Sequence, residues 1–206
     1  MVIIFGMVDE QIIKSPDTER KNRVPPGQRL VDYFPVLHYN GIPKIDTAKW
    51  TFRIFGLIEK EMNLNLDEFM ALPRVKVFSD IHCVTGWSKL NNRWEGVSSS
   101  QIRKLLNVFP EAKFVMVHCL DGYSTNLSFE DFFQPDVLFA VKYENEPVTL
   151  EHGYPVRLIV PRLYLYKSAK WVNGVEVMAK DKPGFWESRG YHNHGDPWQE
   201  ERYSQY

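Results

Sequence analysis

The chain has 206 residues, and its 25 Lys and Arg against 26 Asp and Glu exclude a nucleic-acid-coating surface or an acidic tail, so any anion site must be a local cluster. That length suits one core burying on the order of 70% of the surface exposed by the unfolded chain, and no composition break divides residues 1–206 into two domains. Two cysteines, Cys83 and Cys119, allow at most one disulfide and cannot form a four-thiolate zinc or iron–sulfur site.

The apolar opening "MVIIFGMV" lacks a basic lead and runs straight into "DEQIIKSPDTERK". It fits neither a secretory signal nor a membrane span, and the expectation is a soluble, cytoplasmic protein with both thiols reduced. From Ser15 to Pro43 five prolines and two glycines interrupt any ladder, which predicts a long extended arm, within residues 1–45, wrapping the core. "WTFRIFGLI" from Trp50 alternates like a strand, and "LNLDEFMALP" predicts a short helix stopped by Pro73. "RVKVFSDIHC" is a further strand that delivers Cys83 at its carboxyl end, where "VTGWSKLNNRWEG" reads as a polar loop bracketed by two tryptophans.

Ser98 with Gln101 has the capping-box form, and Ile102, Leu105, Leu106 and Phe109 make a helical core stripe. "KFVMVHCLD" predicts a buried strand, "DGYSTN" a loop, "SFEDFFQ" a short helix, and "VLFAVKYENEPV" a hairpin turning at Glu144 and Asn145. "YPVRLIV" and "WVNGVEVMA" complete the strands. Strands and helices do not alternate regularly, so the fold class is α+β, mixed and rich in sheet.

Three polar loops at strand ends are the candidate chemistry. Cys83 beside His82 reads three ways: as a buried reduced residue, as a nucleophile served by His118 or His152 and Asp121, or as a metal thiolate. A zinc site from His82, Cys83, His118 and Cys119 has suitable ligands, but neighbours in a strand point to opposite faces. Arg157, Arg162, Lys167 and Lys170 lie among apolar residues, and "LYLYKSAKW" offers a hydroxyl, backbone donors and two ammonium groups suited to phosphate. The tail "KPGFWESRGYHNHGDPWQEERY" is too aromatic for a disordered segment. It is expected to pack on the body, with His192 and His194 as exposed histidines lacking a third metal ligand.

In their order along the chain, "FPVLHYNGIP", "HCVTGW" followed by "RWEG", "LDGYSTNL", "HGYPVRLIVPRLYLYKSAKW" and "GFWESRGYHNHGDPW" resemble the sulfite oxidase family of molybdenum-cofactor oxidoreductases, particularly its short single-domain members. The resemblance runs from about Pro25 to the end and implies the sheet-rich mixed fold of that family's molybdopterin-binding domain. It implies molybdenum held by Cys83 beside the dithiolene of molybdopterin, and cofactor contacts at Phe34, Pro35, Val36, Leu37, His38, Asp121, His152, Arg157, Ser168, Ala169 and Lys170. Tyr191 takes the position of the family's active-site tyrosine.

The implied activity is two-electron oxo transfer on a small molecule, a sulfur oxyanion or a sulfoxide. Sulfite-oxidising members carry arginines where this chain has Leu37 and Ser88, and losing two cations weakens binding of a small dianion. The resemblance further implies electron exchange with a separate partner, haem or another redox protein, and no nucleic acid or membrane span. The alternative from another class is a non-catalytic protein binding a phosphorylated ligand or zinc.

Overall fold

The structure, a computed structural model, describes residues 8–204. Seven of the eight residues of the apolar opening lie outside that range. The strands are β1 Val8–Lys14, β2 Arg29–Leu30, β3 Thr51–Gly56, β4 Met62–Asn65, β5 Arg74–Cys83, β6 Trp87–Ser98, β7 Phe114–Cys119, β8 Ser124–Ser128, β9 Leu138–Tyr143, β10 Glu146–Pro147, β11 Arg157–Ile159 and β12 Val172–Met178. The helices are α1 Leu66–Met70, α2 Ser99–Lys104 and α3 Phe129–Phe132.

Two sheets form, one ordered β1-β5-β6-β9-β10 with β2 on β6 and β11 on β9, the other ordered β4-β3-β12-β7-β8. Period-two alternation explains how the first sheet is buried on both faces. In β9, Phe139 and Val141 face the core shared with Phe52, Val117 and Val175 of the second sheet. Leu138 and Ala140 face a second core with Val77, Cys83, Trp87 and Trp94, which the arm covers with Val31 and Phe34. The extended arm therefore covers one face of this core, and among its described residues it holds a short turn at Pro16–Glu19 besides β1 and β2. Fully burying a side chain such as Phe139 contributes about 1.5–3 kcal/mol.

β5 ends at Cys83 as its alternation predicts, and the β9–β10 hairpin turns through Glu144 and Asn145, both at positive φ. Other elements differ from expectation. The polar stretch after Cys83 is a turn of Val84, Thr85 and Gly86 followed by the long strand β6. Gly86, at φ 95°, closes that turn by donating its N–H to the Cys83 carbonyl at 2.9 Å. The polar side chains of β6 are satisfied across the sheet: Glu95 is held between Arg74 at 2.9 Å and Lys142 at 3.3 Å, and buried Asn92 donates to the Ser79 and Lys89 carbonyls.

Helix α2 is capped as expected, with the Ser98 hydroxyl accepting from the Gln101 N–H at 3.2 Å, but it ends at Lys104. Ile102 and Leu106 are buried, whereas Leu105 and Phe109 are 45% and 41% exposed, because the helix is too short to carry a full stripe. The predicted loop "DGYSTN" is shorter than expected, since β8 begins at Ser124 and pairs with β7. β1, which the polar run "DEQIIK" concealed, pairs in parallel with β5 at the sheet edge.

Candidate active site

The carboxyl end of β5, the amino end of β6, the arm, the β7–β8 loop, the segment after β11 and the tail converge on one cavity of about 380 Å³. That is large enough for a small cofactor. Phe34, Pro35, Leu37, His38, Cys83, Asp121, His152, Arg157, Ser168, Ala169, Lys170 and Tyr191 all line it. Val36, 43% exposed, is outside the lining, as alternation of the extended arm turns it away from Leu37. Tyr39, Val84, Thr85, Trp87, Tyr123, Leu165, Tyr166, Trp171 and Trp186 also line it and were not anticipated.

Strand register corrects one expectation. Cys83 pairs across the sheet with Trp87, and His82 with Ser88, and cross-strand partners share a face. Trp87 therefore looks into the cavity beside Cys83. Ser88 is buried on the other side, where its hydroxyl meets His82 Nδ1 at 2.8 Å. Of the two positions that carry arginine in sulfite-oxidising proteins, only Leu37 reaches the cavity.

The same register parts His82 from Cys83, so the four-residue zinc set is not assembled. His118 instead meets Glu176 at 3.0 Å on the second sheet, and no group of three or more potential ligands is gathered for a metal among the described residues. His194 is exposed as expected and His192 is half-buried, and both have carboxylate partners. His194 bridges Glu201 at 2.8 Å and Asp131 at 3.4 Å, and His192 also approaches Glu201, at 3.3 Å. Hydrogen bonding to Asp131 raises the His194 pKa to about 9.

Two lining residues, Arg157 and Lys170, bring positive charge to the cavity. The Arg157 guanidinium is buried between the rings of Phe34 and Trp94, at 5.3 and 5.5 Å. It donates to the carbonyls of His152 at 2.8 Å and Ser168 at 3.2 Å, while its Nε has no partner. Burial without a carboxylate lowers its pKa to about 9. Lys170 donates to the carbonyls of Leu37 at 2.6 Å and Glu151 at 2.9 Å, and burial, then Arg157, lower its pKa to about 8. His152 stacks on Phe34 at 4.1 Å. Its Nε2 lies 3.2 Å from the Phe34 carbonyl, which can only accept, so Nε2 carries the proton and Nδ1 accepts from Thr149 at 3.1 Å.

Backbone makes this cluster compact. Gly153, at φ 114°, lies where a Cβ would come within 2.9 Å of the Arg157 Cβ and 3.1 Å of Lys170. Ser168 turns its hydroxyl onto the Val160 N–H at 2.9 Å and presents its carbonyl to Arg157. Asp121 is the one lining carboxylate. It accepts from the Tyr123 N–H at 3.1 Å, and burial holds its pKa above the usual carboxylate value.

Much of the remaining lining is aromatic. Val84 and Tyr166 pack with Trp186 and Tyr191. The Tyr191 ring stands 4.9 Å from Trp186 and 5.4 Å from Tyr166, so the aromatic tail does pack over the body. Cys83 Sγ lies 3.2 Å from the Thr85 hydroxyl, and burial pushes the thiol pKa up against the opposing pull of Thr85 and Arg202. Cys83 and Cys119 are both free thiols.

The profile of the family described as "Oxidoreductase molybdopterin binding domain" matches residues 39–186. The chain belongs to this family. As a molybdopterin-binding oxidoreductase domain it is similar, at 42% identity over 192 residues, to "Uncharacterized oxidoreductase YuiH" of Bacillus subtilis (strain 168), covering 93% of this chain and 97% of that one. It is 28% identical to "Putative protein-methionine-sulfoxide reductase subunit YedZ1" of Azospira oryzae, covering 81% and 64% of the two chains. It is 24% identical to the sulfite oxidase of Arabidopsis thaliana, covering 82% and 54%. The crystal structure of the sulfane dehydrogenase SoxCD from Paracoccus pantotrophus shares the fold, with a TM-score of 0.65 at 21% identity over 74% of this chain and 43% of that one.

The cavity's chemistry fits the cofactor of this domain family. A buried guanidinium with an orphaned Nε and no paired carboxylate demands an anion, and the phosphate of molybdopterin supplies one. Cys83, in the same lining, offers the soft sulfur donor that such a metal takes.

Proposed function

We propose that this chain catalyses two-electron oxo transfer on a small uncharged substrate of the sulfoxide type. The supporting observation is the make-up of the cavity lining, which brings Arg157 and Lys170, neither paired with a carboxylate among the described residues, together with the free Cys83 thiol and the rings of Trp87, Tyr166, Trp186 and Tyr191. In this reading Arg157, Lys170 and the Ala169 N–H hold the cofactor phosphate, Ser168 places Arg157 through its carbonyl, Asp121 accepts from pterin N–H groups, and the Cys83 thiolate ligates molybdenum. When bound, Mo-molybdopterin supplies reversible exchange of an oxygen atom together with two electrons.

The protein's own contribution is recognition and proton handling. Arg157 and Lys170 already donate to backbone carbonyls, and the side-chain partner of Cys83 is the uncharged Thr85 hydroxyl. With Leu37 and Trp87 facing in, a dianion such as sulfite finds no bidentate partner there. A sulfoxide needs an apolar wall for its carbon substituents and one donor for its oxygen. Trp87, Trp186 and Tyr166 provide the wall and the Tyr191 phenol the donor. Burial and Tyr203 hold the Tyr191 pKa above that of a free phenol, so Tyr191 Oη keeps its proton at neutral pH and can donate one of the two protons with which the substrate oxygen leaves as water, the other coming from solvent. Electrons arrive singly from a separate redox protein, and the reading carries a cytoplasmic location. Among the described residues no helix is long and apolar enough to cross a membrane.

The test follows oxidation of reduced benzyl viologen by methionine sulfoxide. Tyr191→Phe is expected to retain the cofactor yet lose about 10²-fold or more in kcat. Wild-type turnover in that variant removes the proton-donor role.

A further inference from the structure

The active-site tyrosine sits in the tail, beyond the residues matched by the family, and has no strand or helix of its own to fix it. Its N–H donates to the Trp186 carbonyl at 3.1 Å, and its remaining backbone contacts come from the last described segment of the chain. Tyr191 and Tyr203 form an isolated antiparallel bridge. The His192 N–H donates to the Arg202 carbonyl at 3.2 Å and the Ser204 N–H to the Gly190 carbonyl at 2.9 Å. The Ser204 hydroxyl donates to the Tyr191 carbonyl at 3.0 Å, and the Tyr203 ring lies 5.4 Å from that of Tyr191. Residues 202–204 thus grip the backbone on both sides of Tyr191.

The same segment reaches the metal-ligand side. Arg202 donates to the Val84 carbonyl, one residue after Cys83, at 2.5 Å. Its other nitrogen points at the Pro26 and Gly27 carbonyls of the arm, at 3.3 and 3.4 Å. Its guanidinium lies 5.1 Å over Tyr164. Gly27, at φ 67°, leaves the room this requires, since a Cβ there would stand 3.0 Å from Arg202 Nη2. The guanidinium fork suits such a task, because one planar group can satisfy several carbonyls at once.

We propose that Arg202 is a positioning residue that fixes Tyr191 relative to the Cys83 turn, the segment 202–204 acting as a clasp across the cavity. The proposal rests on the roles given above to Cys83 and Tyr191. It makes the end of the chain part of the catalytic geometry although none of its side chains lines the cavity.

The test uses the full-length, cofactor-loaded protein and its Arg202→Ala, Tyr203→Ala, Tyr191→Phe and Arg202→Ala/Tyr191→Phe forms. Amide hydrogen exchange comes first: Arg202→Ala is expected to speed exchange at His192 about tenfold while leaving β5 and β6 protected. Unchanged exchange at His192 overturns the clasp. In the viologen–methionine sulfoxide assay Arg202→Ala is expected to lose roughly tenfold in kcat with KM nearly unchanged. The same substitution added to Tyr191→Phe is expected to cost less than about twofold more, because a residue acting through Tyr191 is silent once the phenol is gone.

A full tenfold loss in both backgrounds overturns the positioning role. The Tyr203 side chain is 61% exposed, so Tyr203→Ala loosens the same clasp without threatening the fold. It is expected to raise His192 exchange and lower kcat about threefold, and wild-type behaviour in both respects counts against the proposal. Wild-type turnover by Tyr191→Phe while His192 exchange still rises in Arg202→Ala instead brings down the catalytic reading beneath it.

Discussion

Cys83→Ser protein, purified from molybdenum-replete cells, is expected to retain less than about a tenth of the wild-type molybdenum, since a hydroxyl does not replace a soft thiolate at such a metal. The thiol is pushed up by burial, so deprotonation depends on the metal itself, as it does for coordinated thiols generally. A serine hydroxyl, far less acidic, is not deprotonated there. The fold is expected to survive, because the sulfur has one side-chain partner, Thr85 at 3.2 Å, which a hydroxyl can keep. Pterin is expected to persist in part, since Arg157 and Lys170 are untouched. Inductively coupled plasma mass spectrometry on folded protein reads the result, and molybdenum at wild-type stoichiometry rules out Cys83 as ligand.

Lys167→Met is expected to be the most destabilising of the substitutions considered. Lys167 is fully buried, and its ammonium lies 2.5 Å from Glu187, 2.9 Å from the Asn126 carbonyl and 3.1 Å from Asn126 Oδ1. Glu187 accepts also from the Thr125 hydroxyl at 2.8 Å. Removing the cation leaves a buried carboxylate without its counter-charge, which costs about 3–5 kcal/mol, or roughly 6–20 °C in melting temperature for a chain of this size. The Lys167→Met/Glu187→Leu double variant is expected to recover part of that loss, because replacing both charges strands neither. Calorimetry on the three proteins checks both points. A melting shift under about 3 °C for Lys167→Met would show that Glu187 is solvated or protonated. The pair matters for the site because Lys167 adjoins Ser168 and Glu187 adjoins Trp186, so breaking it also loosens two walls of the cavity.

Much of this was legible in the sequence where a residue's role depends on its near neighbours. Alternation in "RVKVFSDIHC" placed Cys83 at a strand end, and glycine, proline and hydroxyl residues marked the loops that meet at the cavity. Period two also separates His82 from Cys83. Long-range pairing was hidden. "WSKLNNRWEG" looks like a loop because Asn92 and Glu95 are polar, and only the cross-sheet partners Ser79, Arg74 and Lys142 make it a strand. Asn91, at φ 62°, adds to the disguise where the β5–β6 register shifts.

Lys167 and Lys170 stand in one short run, "YKSAKW", yet one is a sealed structural ion and the other lines the cavity. Nothing local distinguishes them; Glu187, 20 residues away, does. The choice between Trp87 and Ser88 as the cavity-facing residue depended on turn length. Three turn residues pair Cys83 with Trp87, a register that a motif comparison alone could not supply.

The proposed activity rests on Mo-molybdopterin bound in this cavity, held by the cations Arg157 and Lys170 and by the Cys83 thiol. The most direct measurement is the metal and pterin content of the wild-type protein, by mass spectrometry of the metals and fluorescence of the oxidised pterin released on denaturation. The expected result is molybdenum and pterin in equal amounts, each stoichiometric with the chain. Zinc without pterin, or a phosphorylated ligand without molybdenum in protein from molybdenum-replete cells, would contradict it and identify a binding protein built on the same loops.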